Sequence, residues 1–155
     1  MSNLYFPLAL SLITAVPLGA QGLSVINFSG IPTWADSALR KAGVPGRYNL
    51  TSTINPDVQW GDFDGDGFLD VVLAIVPAGN RQRGLAIVHR ADRSVHIIGA
   101  GQPLGNGKNE LPASAGLAVE RRWPYRDVVR VDGWGTLHGW IAWNSSSYVW
   151  VQDSY

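Results

Sequence analysis

Apolar positions follow two different rhythms along this 155-residue chain. Trp34, Ala38 and Ala42 stand at i, i+4 and i+8, with Ala35 and Leu39 beside them. That spacing predicts a helix with one apolar stripe. Thr33 is its expected N-cap, with Asp36 three residues later as a variant of the capping box. Arg40 and Lys41 complement the dipole in the last turn. Gly43 ends the helix and Pro45 blocks its resumption.

Further along, the rhythm changes to that of strands. Asp70 to Val76 is a nearly continuous β-branched and apolar run, as expected for a strand buried on both faces. Gly84–His89 and Ser94–Gly99 follow, separated by Arg90–Arg93, and predict an antiparallel hairpin. Residues Gly99–Pro112 read as a long loop. Asp127–Val131, Leu137–Trp143 and Tyr148–Gln152 are three more strands, the last two joined by Asn144–Ser147, a turn composition. The order is one helix, then about six strands with short links. The expected fold class is α+β: one N-terminal helix packed on a mainly antiparallel β-sheet meander.

The first residues carry a different pattern. Leu4–Ala20 holds no charged residue and closes on Gly19 and Ala20, before the more polar Gln21. Residues 1–20 are therefore expected to be a signal peptide, although Met1-Ser2-Asn3 lacks the usual basic residue. Pro7 and Pro17 interrupt the stretch, so no stable membrane span is expected. The expected mature unit is residues 21–155, a single α+β domain exported to the periplasm or the extracellular space.

Composition narrows the class. Lys and Arg together number 12, and Asp and Glu also number 12, so the formal net charge is zero. With no basic excess, nucleic-acid binding by bulk electrostatics is not expected. The absence of cysteine excludes disulfides, thiolate metal sites and thiol catalysis. Any added stabilisation must come from packing or from a metal held by oxygen or nitrogen.

One segment supplies such oxygens. Residues 61–70 read GDFDGDGFLD. Asp62, Asp64 and Asp66 occupy positions 1, 3 and 5 of a loop, and Gly67 stands at position 6, where a calcium loop turns sharply. Phe68 at position 7 offers its backbone carbonyl. Asp70 at position 9 is a further ligand, directly or through water. Carboxylates converging in a tight loop repel one another, and a hard dication needing six to eight oxygens relieves that repulsion. Magnesium prefers a smaller octahedron, and zinc prefers nitrogen or sulfur. Position 12 is Leu73, so the bidentate Glu of an EF-hand is absent, and a strand follows rather than a helix. The expected site is a strand–loop–strand Ca2+ site with Asp62, Asp64, Asp66, Phe68 and Asp70 as ligands.

The stretch WGDFDGDGFLDVVLA resembles the FG-GAP or VCBS-type calcium repeat, D-x-D-G-D-G-x-x-D followed by an apolar strand. In that family such loops sit between strands of β-propeller blades. The resemblance implies that Asp62, Asp64, Asp66 and Asp70 are carboxylate ligands and Phe68 a backbone ligand. It covers about fifteen residues and points to calcium, not to a particular activity. A propeller needs at least four blades of about 40 residues, and only one copy of the loop is present here. The chain more closely resembles short exported bacterial proteins that pair this loop with a later glycine-rich segment, here Gly99-Ala100-Gly101 and Gly105-Asn106-Gly107. Those proteins also end in an aromatic strand, here Tyr148–Gln152.

Other constellations are weaker. The glycine-rich segment fails the phosphate-loop spacing, because five residues rather than four separate Gly101 from Gly107. His89 and His96 fall on adjacent predicted strands, but no H-x-x-x-H pair and no G-x-S-x-G elbow exists. Trp134, Trp140, Trp143, Tyr148 and Trp150 crowd the C-terminus. Most of these rings are expected in the core, and any left exposed would suit a protein or cell-surface glycan partner. The expected function is an exported calcium-binding interaction module. The alternatives are a metal-assisted hydrolase, for which no catalytic motif speaks, and a self-assembling surface protein pairing through its last strand.

Overall fold

The computed structural model describes residues 30–51, 58–133 and 138–153. The expected signal peptide and Trp134 lie outside these residues.

The helix forms where its stripe predicts. α1 spans Thr33–Lys41 and buries Ala35, Ala38 and Leu39. Its capping differs from expectation. Pro32, in extended conformation, is the N-cap, with no side-chain cap, and Thr33 is the first helical residue. The Pro32 carbonyl accepts from the amides of Ala35 and Asp36. A proline there gives up no needed donor, because first-turn amides have no helical partner. Asp36 instead receives Arg40 Nε at 2.8 Å, one turn on. At the other end Gly43 adopts φ +68°, and Arg47 donates to the carbonyls of Ala42 and Gly43.

Nine strands follow among the described residues: β1 Tyr48–Leu50, β2 Val58–Gly61, β3 Asp70–Pro77, β4 Gly84–Val88, β5 Val95–Gly99, β6 Gly116–Arg121, β7 Asp127–Asp132, β8 His138–Trp143 and β9 Tyr148–Gln152. The antiparallel character is as expected. The count exceeds the expected six by β1, β2 and β6. The first two are too short to show a period of their own, and β6, Gly-Leu-Ala-Val-Glu-Arg, carries only a three-residue apolar run before its charged end.

A single meander is also not what forms. The strands divide into two sheets. In the first, β3 pairs with β4 and β4 with β5, while β1 and β2 both pair with the other edge of β3. In the second, β6 to β9 run as a plain meander.

Side-chain alternation explains the layering. On β3, Val71, Leu73 and Ile75 join Ala35, Leu39 and Val44 in a core beneath α1. Val72 and Ala74 point the other way and meet Leu117, Val129, Val131 and Ile141 of the second sheet. The first sheet is thus covered on both faces, which is why β4 reads as Gly-Leu-Ala-Ile-Val with every residue buried. Trp140 lies on the outer face of the second sheet, buried with Val128 and Ala142, and Arg122 stacks over its ring. Trp143, Tyr148 and Trp150 are half-buried, and Trp123 is 91 % exposed.

Candidate metal centre

The acidic loop is the turn of a hairpin. β2 and β3 pair from Val58↔Leu73 to Gly61↔Asp70, so residues 62–69 close the loop between them. The carboxylates wind this loop by accepting its own amides. Asp64 Oδ1 accepts from Asp66 N at 3.1 Å, Asp66 Oδ1 from Phe68 N at 2.7 Å, and Asp62 Oδ1 from Gly67 N at 3.3 Å. Gly65 and Gly67 take φ +81° and +89°, left-handed conformations that a Cβ would strain. The result brings one oxygen each of Asp62, Asp64 and Asp66 within 4.8 Å of one another.

The loop is anchored to the second sheet. Asp62 N donates to Asp127 Oδ2 at 2.9 Å, and Asp127 N donates back to Asp62 O at 3.2 Å. Asp127 Oδ1 also accepts from Arg121 Nε. Phe63 inserts its ring between the sheets. Phe68 does the opposite: its side chain is 52 % exposed, with the Arg90 guanidinium near its ring.

Asp70 departs from the other carboxylates. Its side chain is fully buried, with Oδ2 accepting from Phe63 N at 3.1 Å and Oδ1 from Arg90 N at 2.8 Å. Burial pushes its pKa up to about 7; the Arg90 amide opposes this, and the neighbouring charge of Asp64 adds to it. Asp70 does not group with Asp62 and Asp66. Its oxygen gathers with those of Asp64 and a ring nitrogen of His89, again within 4.8 Å. Asp64 belongs to both groups.

His89 arrives there by register. Val71 faces Val88 across the β3–β4 pair, so the next residues outward, Asp70 and His89, come together. His89 is buried, with Nδ1 3.5 Å from Asp64 Oδ2 and Nε2 2.7 Å from the Tyr148 hydroxyl. His96, Trp143 and Tyr148 surround it, with ring centroids 4.7, 4.9 and 5.7 Å away. Burial and then the nearby His89 lower the His96 pKa, while burial raises that of Tyr148 and keeps its hydroxyl protonated.

A cleft of about 430 Å³ opens beside the loop, lined by Asp64, Tyr125, Arg126, Trp143, Asn144 and Ser145 among others. A second, of about 320 Å³, opens where β5 and β9 flank the sandwich and includes His96 and Tyr148. The ring cluster stands between the two.

Sequence reasoning placed the acidic loop and the nearness of His89 to His96. It missed the convergence of His89 on Asp64 and Asp70, the hydroxyl of Tyr148, and the docking of the loop on Asp127. The first was readable in principle: pairing the two strands from their apolar centres outward sets Asp70 opposite His89. The others join segments far apart in the chain and leave no local signal.

Chemically, the centre offers an all-oxygen group, a mixed oxygen and nitrogen group, and an adjacent cleft with aromatic and polar walls. In comparisons with known proteins, no family model, no curated protein and no solved structure matches this chain. Among the described residues, no helix is long and apolar enough to cross a membrane.

Proposed function

We propose that this chain is an exported calcium-binding domain that acts as an interaction module, with the ion clamping the 62–70 loop. One observation carries the reading: the convergence of Asp62, Asp64 and Asp66 in a hairpin loop that turns at Gly67. Oxygen-only donors of this density suit a hard dication that takes six to eight ligands. Asp62, Asp64 and Asp66 would hold it, with the Phe68 carbonyl. Asp70 is the further ligand, directly or through water: each of its oxygens accepts one amide and keeps a second lone pair.

Calcium in such a site supplies charge neutralisation and order. The loop lies on the second sheet through Asp127 and Phe63 and lines the cleft through Asp64 and Gly65. Ordering the loop therefore shapes one wall of that cleft. Trp143 and Tyr125 offer stacking surfaces there, and Arg126, Asn144 and Ser145 offer polar contacts, a lining suited to a glycan or a protein segment. Export is proposed from the character of residues 1–20.

The test is a thermal melt of the protein in calcium and in chelator. A calcium-dependent rise is expected in the wild type and not in Asp66→Ala. At calcium a hundredfold above Kd the stabilisation is about 2.7 kcal/mol. Superimposed wild-type curves in calcium and chelator would sink the proposal.

A metal-assisted hydrolase is the second reading, favoured by the approach of His89 to Asp64 at the edge of the cleft. It predicts turnover of a hydrolysable ester or glycoside probe that is lost in His89→Gln. Unchanged turnover in that variant would remove it.

A further inference from the structure

The alternation that buries Leu85 and Ile87 between the sheets also directs His89 inward, at the end where the acidic loop begins. There it meets Asp64 and Asp70, and the three side chains offer two carboxylate oxygens and one imidazole nitrogen within 4.8 Å of one another. This is not simply an acidic cluster. A fully sequestered imidazole, only 2 % exposed, is aimed into it.

The one close separation is that of ligands about an ion rather than of a direct hydrogen bond. His89 Nδ1 stands 3.5 Å from Asp64 Oδ2, beyond the ~2.7–3.2 Å of an N–H···O bond. Two donors bound at ~2.0–2.1 Å to a tetrahedral ion lie about 3.3 Å apart. The supporting groups also fit. With a metal on Nδ1, the ring carries its proton on Nε2 and donates it to the Tyr148 oxygen 2.7 Å away. The amides of Phe63 and Arg90 each hold one oxygen of the Asp70 carboxylate. Metal-binding imidazoles and carboxylates are ordinarily oriented by partners of these kinds.

We infer that Asp64, Asp70 and His89 form a second metal site, which takes a first-row transition dication of the zinc type and shares Asp64 and Asp70 with the calcium reading of the loop. Imidazole nitrogen selects such ions over calcium, which takes oxygen. Three protein donors leave one tetrahedral position for a small ligand, and Asp64 places the site at the wall of the cleft. The inference shares residues with the calcium reading but does not depend on calcium being bound.

The experiment titrates the folded full chain with zinc, by calorimetry, with and without saturating calcium. The imidazole nitrogens are followed in parallel by 15N NMR. One zinc per chain is expected, with the largest shift at His89 Nδ1. His89→Gln should weaken zinc binding at least ~10-fold, and Tyr148→Phe, which keeps the ring and deletes only the hydroxyl, by roughly 10-fold. His138→Gln, altering an imidazole outside the cluster, should leave it unchanged. Asp62→Asn should weaken calcium binding and leave one zinc bound, so failure of the calcium reading is seen separately. If His89→Gln does not fold, Tyr148→Phe and the wild-type NMR decide. The inference is overturned if the folded wild type binds no zinc. A zinc-induced shift confined to another histidine, or unaltered affinity in Tyr148→Phe together with no shift at His89, would overturn it equally.

Discussion

The two faces of β3 are built on opposite principles. Toward α1 the strand presents Val71, Leu73 and Ile75, which join a hydrophobic cluster with Ala35, Ala38, Leu39 and Val44. Toward the second sheet it presents Val72 and Ala74, but the same face begins with Asp70, a carboxylate with no solvent exposure, and His89 lies beside it on the neighbouring strand. One face stabilises the fold by excluding water. The other gives up part of that stabilisation to hold ionisable groups in place, and a buried carboxylate is expensive unless its oxygens are satisfied. The amides of Phe63 and Arg90 satisfy them in part. The same eight-residue strand thus acts as scaffold on one side and carries the buried ionisable cluster on the other.

The comparison can be broken most forcefully from the apolar side. Leu73 is fully buried under the helix, and Leu73→Ala should cost about 2–5 kcal/mol in urea unfolding. Its calcium-dependent increment should survive. Asp66→Ala should show the reverse: little change in chelator, and loss of the calcium increment. A Leu73→Ala protein that also lost its calcium response would mean that the two faces are coupled and the contrast is false.

A smaller effect is expected where the loop leaves the sheet. A Cβ on Gly61 would sit 2.8 Å from Phe63 Cε1 and 3.0 Å from Val119 Cγ1. Phe63 is packed between the sheets and cannot swing freely. Gly61→Ala should therefore cost about 1–3 kcal/mol, and weaken calcium binding by displacing the ring that anchors the loop. Native stability and calcium affinity would be measured together; a change in neither would show that the anchor is slack.

The smallest effect is a slope. Burial raises the Asp70 pKa from 3.8 to about 7 in the metal-free protein. Between those values the folded state binds the proton more readily than the unfolded state does. The unfolded chain then carries fewer protons, so this group makes stability fall as pH rises, by at most about 1.4 kcal/mol per pH unit. This is opposite in sign to an ordinary salt-bridged aspartate. In chelator, urea melts across this window should show a steeper decline for the wild type than for Asp70→Asn. Parallel profiles would place the Asp70 carboxyl in a more polar setting than its burial implies.

Legibility in the sequence follows the range of the interaction. The α1 stripe was readable because three buried positions, Ala35, Ala38 and Leu39, lie within one short segment. β9 was readable to the residue, Tyr148–Gln152, because a turn of Asn and Ser precedes it. β1, with three residues, showed no period, and the edge it shares with β2 exists only because β3 is there to pair with. The N-cap was misplaced by one residue: Pro32 takes that position with its backbone carbonyl alone, which accepts the amides of Ala35 and Asp36, and no side chain caps the first turn.

By itself, the sequence determined what is local: the helix, the central apolar strands, and a loop whose carboxylates alternate closely enough to face one point. These depend on spacing within about ten residues, where backbone geometry leaves few choices. Tertiary structure alone decided the split into two sheets, the docking of the loop on Asp127, and the approach of Tyr148 to His89. Tyr148 lies 59 positions from the histidine it contacts. Only the packing of one sheet on another brings such groups together, because burying two apolar faces at once fixes which polar ends must share the same edge.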